Sequence, residues 1–506
     1  MTRESGILLP ISSLPGPYGI GCFSREAYRF VDFLRDAGQS YWQILPLGPT
    51  SYGDSPYQSF STYAGNPYFI SLETLIEQGE LTKEECDRAD LGADPRDVDY
   101  EKLYRGRYAL LRAAFRRSRA PETPEFRRFL EENDWWLSDY ALFMAVKDRF
   151  GGEPWTAWPE DIRLRRKDAM ETFRRELEQE IAFQQYMQFQ FFSQWRALLR
   201  YAHSRGVRII GDAPIYVAMD SADVWANPEL FQLDGDNLPI AVAGCPPDGF
   251  APTGQLWGNP LYRWDYHRET GFRWWMNRLR YCFELFDVLR IDHFRGFDAY
   301  YAIPYGEPTA ENGHWEKGPG YAFFETMRRT LGPRQVIAED LGYVTDSVRK
   351  LVRDTGFPGM KVLEFAFDAR DTGSANDYLP HNYPEDCVVY TGTHDNETVA
   401  GWLMSITPEE RQMVRDYLCD RYTPDRELFR PVTALAMASI ARLCVIPLQD
   451  YLGCGNDCRI NRPSTLGGNW RWRVSGEALS DALQAEILSV TRRYGRLNRS
   501  EDRRRI

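Results

Sequence analysis

The sequence predicts an α/β protein, a closed (β/α)8 (TIM-type) barrel with large, mostly helical insertions at the C-terminal face of its strands. Three observations carry that expectation. Apolar, β-branched runs bounded by turn residues occur eight times. Helical patterns rich in Leu, Arg and Glu lie between most of them, which is the order of parallel βαβ units. Three of the runs close on carboxylates, at Asp292, Glu339 and Asp395, and reacting side chains gather at that end of such a barrel.

In chain order the runs are 6–10, 41–47, 208–215, 287–294, 335–341, 359–365, 387–392 and 444–448. The patterns over 27–37, 189–205 and 272–286 are the clearest connecting helices. Leu47 and Arg208 stand about 160 residues apart, far beyond a simple crossover. Residues of about 50–185 therefore form an insertion between strands two and three, with helices expected over 104–117, 125–132, 139–150 and 167–183. Long loops follow strand three (216–262) and strand eight (453–476), placed to wall the cleft. No internal repeat or linker divides the chain, so residues 1–506 read as one catalytic barrel unit.

Composition narrows the partners. A net charge of −12 over 506 residues argues against nucleic acid or an anionic membrane, and a neutral substrate is the inference. No apolar segment of signal-peptide length follows Met-Thr-Arg-Glu-Ser, and the stretch 432–448 is interrupted by Arg442 and Pro447. A cytoplasmic protein is expected. The nine cysteines are odd in number and scattered, with Cys454 and Cys458 the only close pair, so they read as reduced thiols. Neither a metal site nor a cofactor is expected. Oligomeric state is not encoded in any pattern.

Asp292 follows Arg290 with one residue between, so both side chains share one face of the strand. A guanidinium beside a carboxylate favours its ionised form, which a nucleophile at an anomeric carbon requires. Glu339 ends an apolar run with Asp340 beside it; alternation aims one inward and the other toward the helices. A carboxyl partly buried near a second carboxylate has a raised pKa and can act as general acid and then base. Asp340 reads as the cap of a following helix. Asp395, in Gly392-Thr-His394-Asp395-Asn396, could hold sugar hydroxyls and stabilise an oxocarbenium-like centre, and taken alone the segment also fits ordinary turn chemistry. Three such carboxylates are the equipment for breaking a glycosidic bond.

The aromatic content is high, at 15 Trp, 29 Tyr and 28 Phe. Most of these residues are core fillers; those beside polar residues in Gly/Pro-rich segments suit sugar faces. From Gly6-Ile-Leu-Leu-Pro-Ile-Ser-Ser-Leu-Pro to Gly467-Gly-Asn-Trp-Arg-Trp-Arg473 the chain resembles glycoside hydrolase family 77, the amylomaltase or 4-α-glucanotransferase family of the α-amylase clan. The resemblance includes Trp42-Gln-Ile-Leu-Pro-Leu-Gly-Pro-Thr, Gly53-Asp-Ser-Pro-Tyr57, Gly211-Asp212-Ala-Pro-Ile-Tyr, Gly244-Cys-Pro-Pro-Asp248, Gly254-Gln-Leu-Trp-Gly-Asn-Pro260 and Asn461-Arg-Pro-Ser. It departs locally at Gln255-Leu-Trp257, where an Arg often stands before the Trp; an adjustment of loop packing without loss of activity is expected.

The resemblance implies a retaining double displacement on α-1,4-glucans, with maltooligosaccharides and glucose as partners. Asp292 looks like the nucleophile, Glu339 the general acid/base, and Asp395 the carboxylate that distorts and stabilises the sugar. Arg290 and His394 would orient that sugar, Tyr57 would stack beneath it and Asp212 would bind the donor. Gln255 and Trp257 fall on the family's flexible loop over the acceptor side, and Asn461 would bind donor hydroxyls. Segments such as 216–262 can shield the covalent intermediate from water, which transfer requires. Two other readings stay open on the residues alone: an α-1,4-glucan hydrolase of the same clan, and a catalytically silent glucan-binding protein.

Overall fold

In the computed structural model, which describes residues 3–51, 53–247, 251–342, 344–370, 375–465 and 467–498, the eight apolar runs pair into one closed barrel. Its strands are β1 (Glu4–Leu8), β2 (Tyr41–Gln43), β3 (Arg208–Ala213), β4 (Val288–Ile291), β5 (Val336–Ala338), β6 (Gly359–Val362), β7 (Cys387–Tyr390) and β8 (Leu443–Pro447). Every pairing is parallel and follows chain order, with β8 closing on β1. Near-continuous apolar runs suit such strands, because both faces are covered. Residues Leu8, Ile210, Val288, Ile337, Met360, Val388 and Val445 fill the interior, and the alternate residues pack outward against helices. Among the described residues no helix is long and apolar enough to cross a membrane.

The alternation and register together set the catalytic end. Arg290 pairs with Asp212 on β3 and with Ile337 on β5, so Arg290 and Asp212 face the interior in one layer. Ile291 pairs with Ala338, so the next residues, Asp292 and Glu339, emerge level on neighbouring strands. Gly211 permits close packing on the outside of β3, where an added Cβ would lie 2.2 Å from the Phe286 ring.

The insertion is helical but divided differently from the sequence reading. The segments 125–132 and 139–150 belong to one helix, Pro124–Arg149. Asn133 does not break it, because its Nδ2 donates to Phe129 O at 2.8 Å and its Oδ1 accepts from Trp136 Nε1 at 3.1 Å. The pattern over 167–183 instead breaks at Leu177, giving Lys167–Glu176 and Glu178–Ser204. The second of these runs straight through residue 185 and delivers the chain to β3.

The segment 216–262 is more than a loop. It forms a short helix, Ala222–Ala226, and two antiparallel strands, Ala241–Cys245 and Gln255–Pro260. These join Ala299–Pro304 and His314–Lys317, from the connection after β4, in a four-stranded sheet. Gln255 and Trp257 therefore lie on an edge strand, correcting their expected place on a loop. Gly258 and the closing Pro260 hide this strand from a composition-based reading, and an edge position tolerates both. Asp248 of the Gly244-Cys-Pro-Pro-Asp248 motif lies outside the described residues.

Candidate active site

At the mouth of the barrel one guanidinium nitrogen organises three carboxylate contacts. Arg290 Nη1 donates to Asp212 Oδ1 at 2.8 Å, to Asp212 Oδ2 at 2.7 Å and to Asp292 Oδ1 at 2.9 Å. The Arg290 and Asp212 side chains are 5% and 0% exposed, whereas Asp292 is 28% exposed. Arg290 and Asp212 thus form a buried base, and Asp292 is the member that meets the cleft. Burial works against the Arg290 charge, but Asp212 and Asp292 outweigh it and hold its pKa well above the ordinary value.

Glu339 stands beside Asp292, half-buried at the end of β5. Its two oxygens are fixed separately: Oε2 accepts from His293 N at 2.7 Å, and Oε1 accepts from Leu341 N at 3.0 Å. The His293 amide reaches it because His293 adopts a left-handed backbone, φ 49° and ψ 49°. Burial pushes the Glu339 carboxyl up to about 7, with Asp292 adding to the push and Arg290 and the amides opposing it. Asp340 turns outward and accepts from Met360 N on β6 at 2.7 Å. It ties two strands together and caps no helix; the following helix, Asp346–Thr355, is capped by Thr345.

The third carboxylate comes from the turn after β7. Asp395 is 47% exposed; its Oδ1 accepts from Asn461 Nδ2 at 2.6 Å and lies 3.4 Å from His394 Nε2. The turn is braced from behind by Arg459 Nη2, which donates to Asp395 O at 2.6 Å, and by Thr393 Oγ1, which accepts from Asp395 N at 3.2 Å. His394 is buried and stacks on Tyr57, ring centroids 5.1 Å apart and planes 18° from parallel. The Tyr57 hydroxyl donates to Asp212 Oδ2 at 2.7 Å. Burial, reinforced by Asp212, keeps that phenol's pKa well above its ordinary value, so it remains a donor.

Seven of the ten residues singled out from the sequence therefore converge in one hydrogen-bonded or stacked group, Asp292, Asp395, Tyr57, Asp212, Arg290, His394 and Asn461, and Glu339 stands next to it on the His293 amide. Gln255 and Trp257 approach from the small sheet. Trp257 Nε1 donates to Gln255 Oε1 at 3.1 Å, and its ring meets His293 edge-on at 4.8 Å and 89°. Two further residues enter the site unpredicted. His293 holds Glu339 and faces Trp257; its pKa is lowered to about 4, first by burial, so the imidazole is neutral. Trp470 packs against Tyr57 and His394 at 5.8 and 5.9 Å. Chemically the group offers a carboxylate beside a fixed cation, a carboxyl that titrates near neutrality, and a third carboxylate open to hydroxyls.

The chain is similar to known proteins along nearly its whole length. The glycoside hydrolase family 77 model, described as 4-alpha-glucanotransferase, matches residues 9–480. A 4-alpha-glucanotransferase from Thermus thermophilus is 48% identical over 506 residues, covering 98% of this chain and 100% of the relative. One from Clostridium butyricum is 46% identical over 488 residues, covering 96% of this chain and 99% of the relative. The structure of amylomaltase from Streptococcus agalactiae in complex with acarbose matches with a TM-score of 0.94 at 42% identity, covering 98% of this chain and 100% of that one.

Proposed function

We propose the residue-level route by which this chain, a member of the glycoside hydrolase family 77 of 4-alpha-glucanotransferases, moves a segment of one α-1,4-glucan onto another. Asp292 attacks the anomeric carbon, and Glu339 gives its proton to the glycosidic oxygen as that bond breaks. The glucan beyond the break leaves with a free 4-hydroxyl, and the donor segment stays as an ester on Asp292. Glu339, now a carboxylate, takes the proton from the 4-hydroxyl of an incoming maltooligosaccharide or glucose. That oxygen attacks the anomeric carbon, the bond from that carbon to the Asp292 carboxylate breaks, and a new α-1,4 bond forms with retained configuration.

One observation carries the assignment: Arg290 Nη1 joins buried Asp212 to Asp292, while Glu339 on the next strand is held by two amides with a pKa of about 7. A carboxylate paired with a cation suits the nucleophile, and a carboxyl titrating near neutrality suits proton transfer in both directions. Asp395, steadied by Asn461 and His394, takes hydroxyls of the sugar at the breaking bond. Tyr57 and His394 form its platform, and Trp257 with Gln255 takes the acceptor. The enzyme works as one catalytic unit in a cytoplasmic setting, with the insertion as a wall of the cleft.

Incubation with maltotriose, resolved by chain length beside Asp292→Asn, tests the route. A ladder of longer oligomers plus glucose, absent in the variant, supports it. Maltose and glucose alone would make the same carboxylates those of a hydrolase, and unchanged maltotriose would leave a binding protein.

A further inference from the structure

We infer that the groove between the insertion helix Pro124–Arg149 and the helix Arg273–Leu285 is a second α-glucan-binding site, seated on Trp135 and separate from the cleft. The inference rests on the glucan reading of the cleft. Adjacent tryptophans on the insertion helix do opposite things: Trp136 is 5% exposed in the core, whereas Trp135 is 51% exposed. Trp135 is nevertheless fixed in place. Tyr63 meets it edge-on at 4.7 Å and 77°, and Tyr281 at 6.3 Å and 83°. These contacts hold the indole, and with half of its surface exposed it still offers area to another ring.

The space on either side of Trp135 is of ligand size. One lobe measures about 350 Å³ and the other about 450 Å³, and Trp135 and Asn277 line both. Binding sites for small molecules start at about 300 Å³. The first lobe adds the aromatic residues Tyr63, Tyr266 and Trp274. Its polar groups have unspent capacity. Asn277 Oδ1 accepts from Arg280 Nη1 at 2.8 Å, but among the described residues its Nδ2 has no partner. Arg273 likewise has no hydrogen bond or ion pair among the described residues, and it stands in the same lobe as Glu229. Aromatic faces beside planar donors, with charges of both signs, suit a neutral, polyhydroxylated ring.

Ser61 and Tyr63, both buried, stand between this groove and a small cavity lined by Tyr57 and Asp212. A glucan long enough to pass around that wall can lie on Trp135 while its other part occupies the cleft, whereas a trisaccharide engages only one place. Simultaneous engagement raises the effective concentration of the second contact, so long donors gain most.

The test uses the full chain with Asp292→Asn, which removes turnover, titrated calorimetrically with maltoheptaose. Two classes of site are expected, and one after Trp135→Ala is added. In the otherwise native enzyme, Trp135→Ala should raise KM for amylose about five- to tenfold while KM for maltotriose stays within about twofold. Thermal melting checks that the variant is folded; should it unfold, Arg273→Ala with Asn277→Ala carries the same comparison. One class of site, unchanged by Trp135→Ala, overturns this proposal and leaves the cleft reading standing. No binding to Asp292→Asn at all overturns the glucan reading of the cleft itself.

Discussion

Arg290 gives both oxygens of Asp212 a hydrogen bond from the same nitrogen that holds Asp292, so one buried pair sets the position of the carboxylate facing the cleft. Arg290→Ala leaves Asp212 in the interior without its cation, held only by the Tyr57 hydroxyl, with an expected destabilisation of about 3–5 kcal/mol. Arg290→Lys keeps a cation but cannot span both carboxylates. A folded protein with kcat lower by about 100-fold is expected, read by melting and by maltotriose turnover.

Tyr57→Phe separates the ring from its hydroxyl. The stack on His394 stays, and the bond to Asp212 is lost. A hydrogen bond to a charged acceptor contributes about 1.5–3 kcal/mol to the folded state, so the melting temperature should fall by a few degrees, and kcat/KM should fall about tenfold as Asp212 and the ring lose their fixed relation. Tyr57→Ala should lose more, because the platform goes too.

The pH profile follows from Glu339. Its proton is required for the first step, and burial has moved its pKa up to about 7. The alkaline limb of kcat/KM should therefore bend near pH 7 and fall about tenfold per unit above it. A limb bending near pH 4.5 would show that Glu339 is not the proton donor.

Asp450 supplies a stability signature separate from activity. It is buried beneath the Asp395 turn, accepting from Thr391 Oγ1 at 2.6 Å and from Val399 N at 2.8 Å. Burial pushes its pKa up to about 7, so the folded state holds this proton more tightly than the unfolded chain. Its contribution is complete below about pH 4 and is lost as pH rises to about 7, flat beyond. Melting temperature should slope downward across that window, and the slope should flatten in Asp450→Asn.

What the sequence made legible divides by physical cause. All eight barrel strands were readable, because a strand covered on both faces must be apolar along its length. Arg290 and Asp292 were readable as a same-face pair because strand periodicity is two. His293 and Trp470 were not, since each enters the site through a left-handed backbone, φ 49° and 64°, which no residue name other than glycine announces. Asp340 was misread as a helix cap because its partner, the Met360 amide, is supplied by the neighbouring strand.

The long helix Glu178–Ser204 bears on how the chain reaches its native state. β2 and β3 are neighbours, with Tyr41 paired to Arg208, and the whole insertion lies between them. Joining the two ends of an unstructured loop of that length is slow, and no local contact rewards it until closure is complete. Helices that assemble first shorten the search, and Glu178–Ser204 then carries β3 to its partner as a rigid lever. Without those helices the β2–β3 pair would have to close across an unstructured loop, and the fourth to eighth strands would have only β1 and β2 to build on.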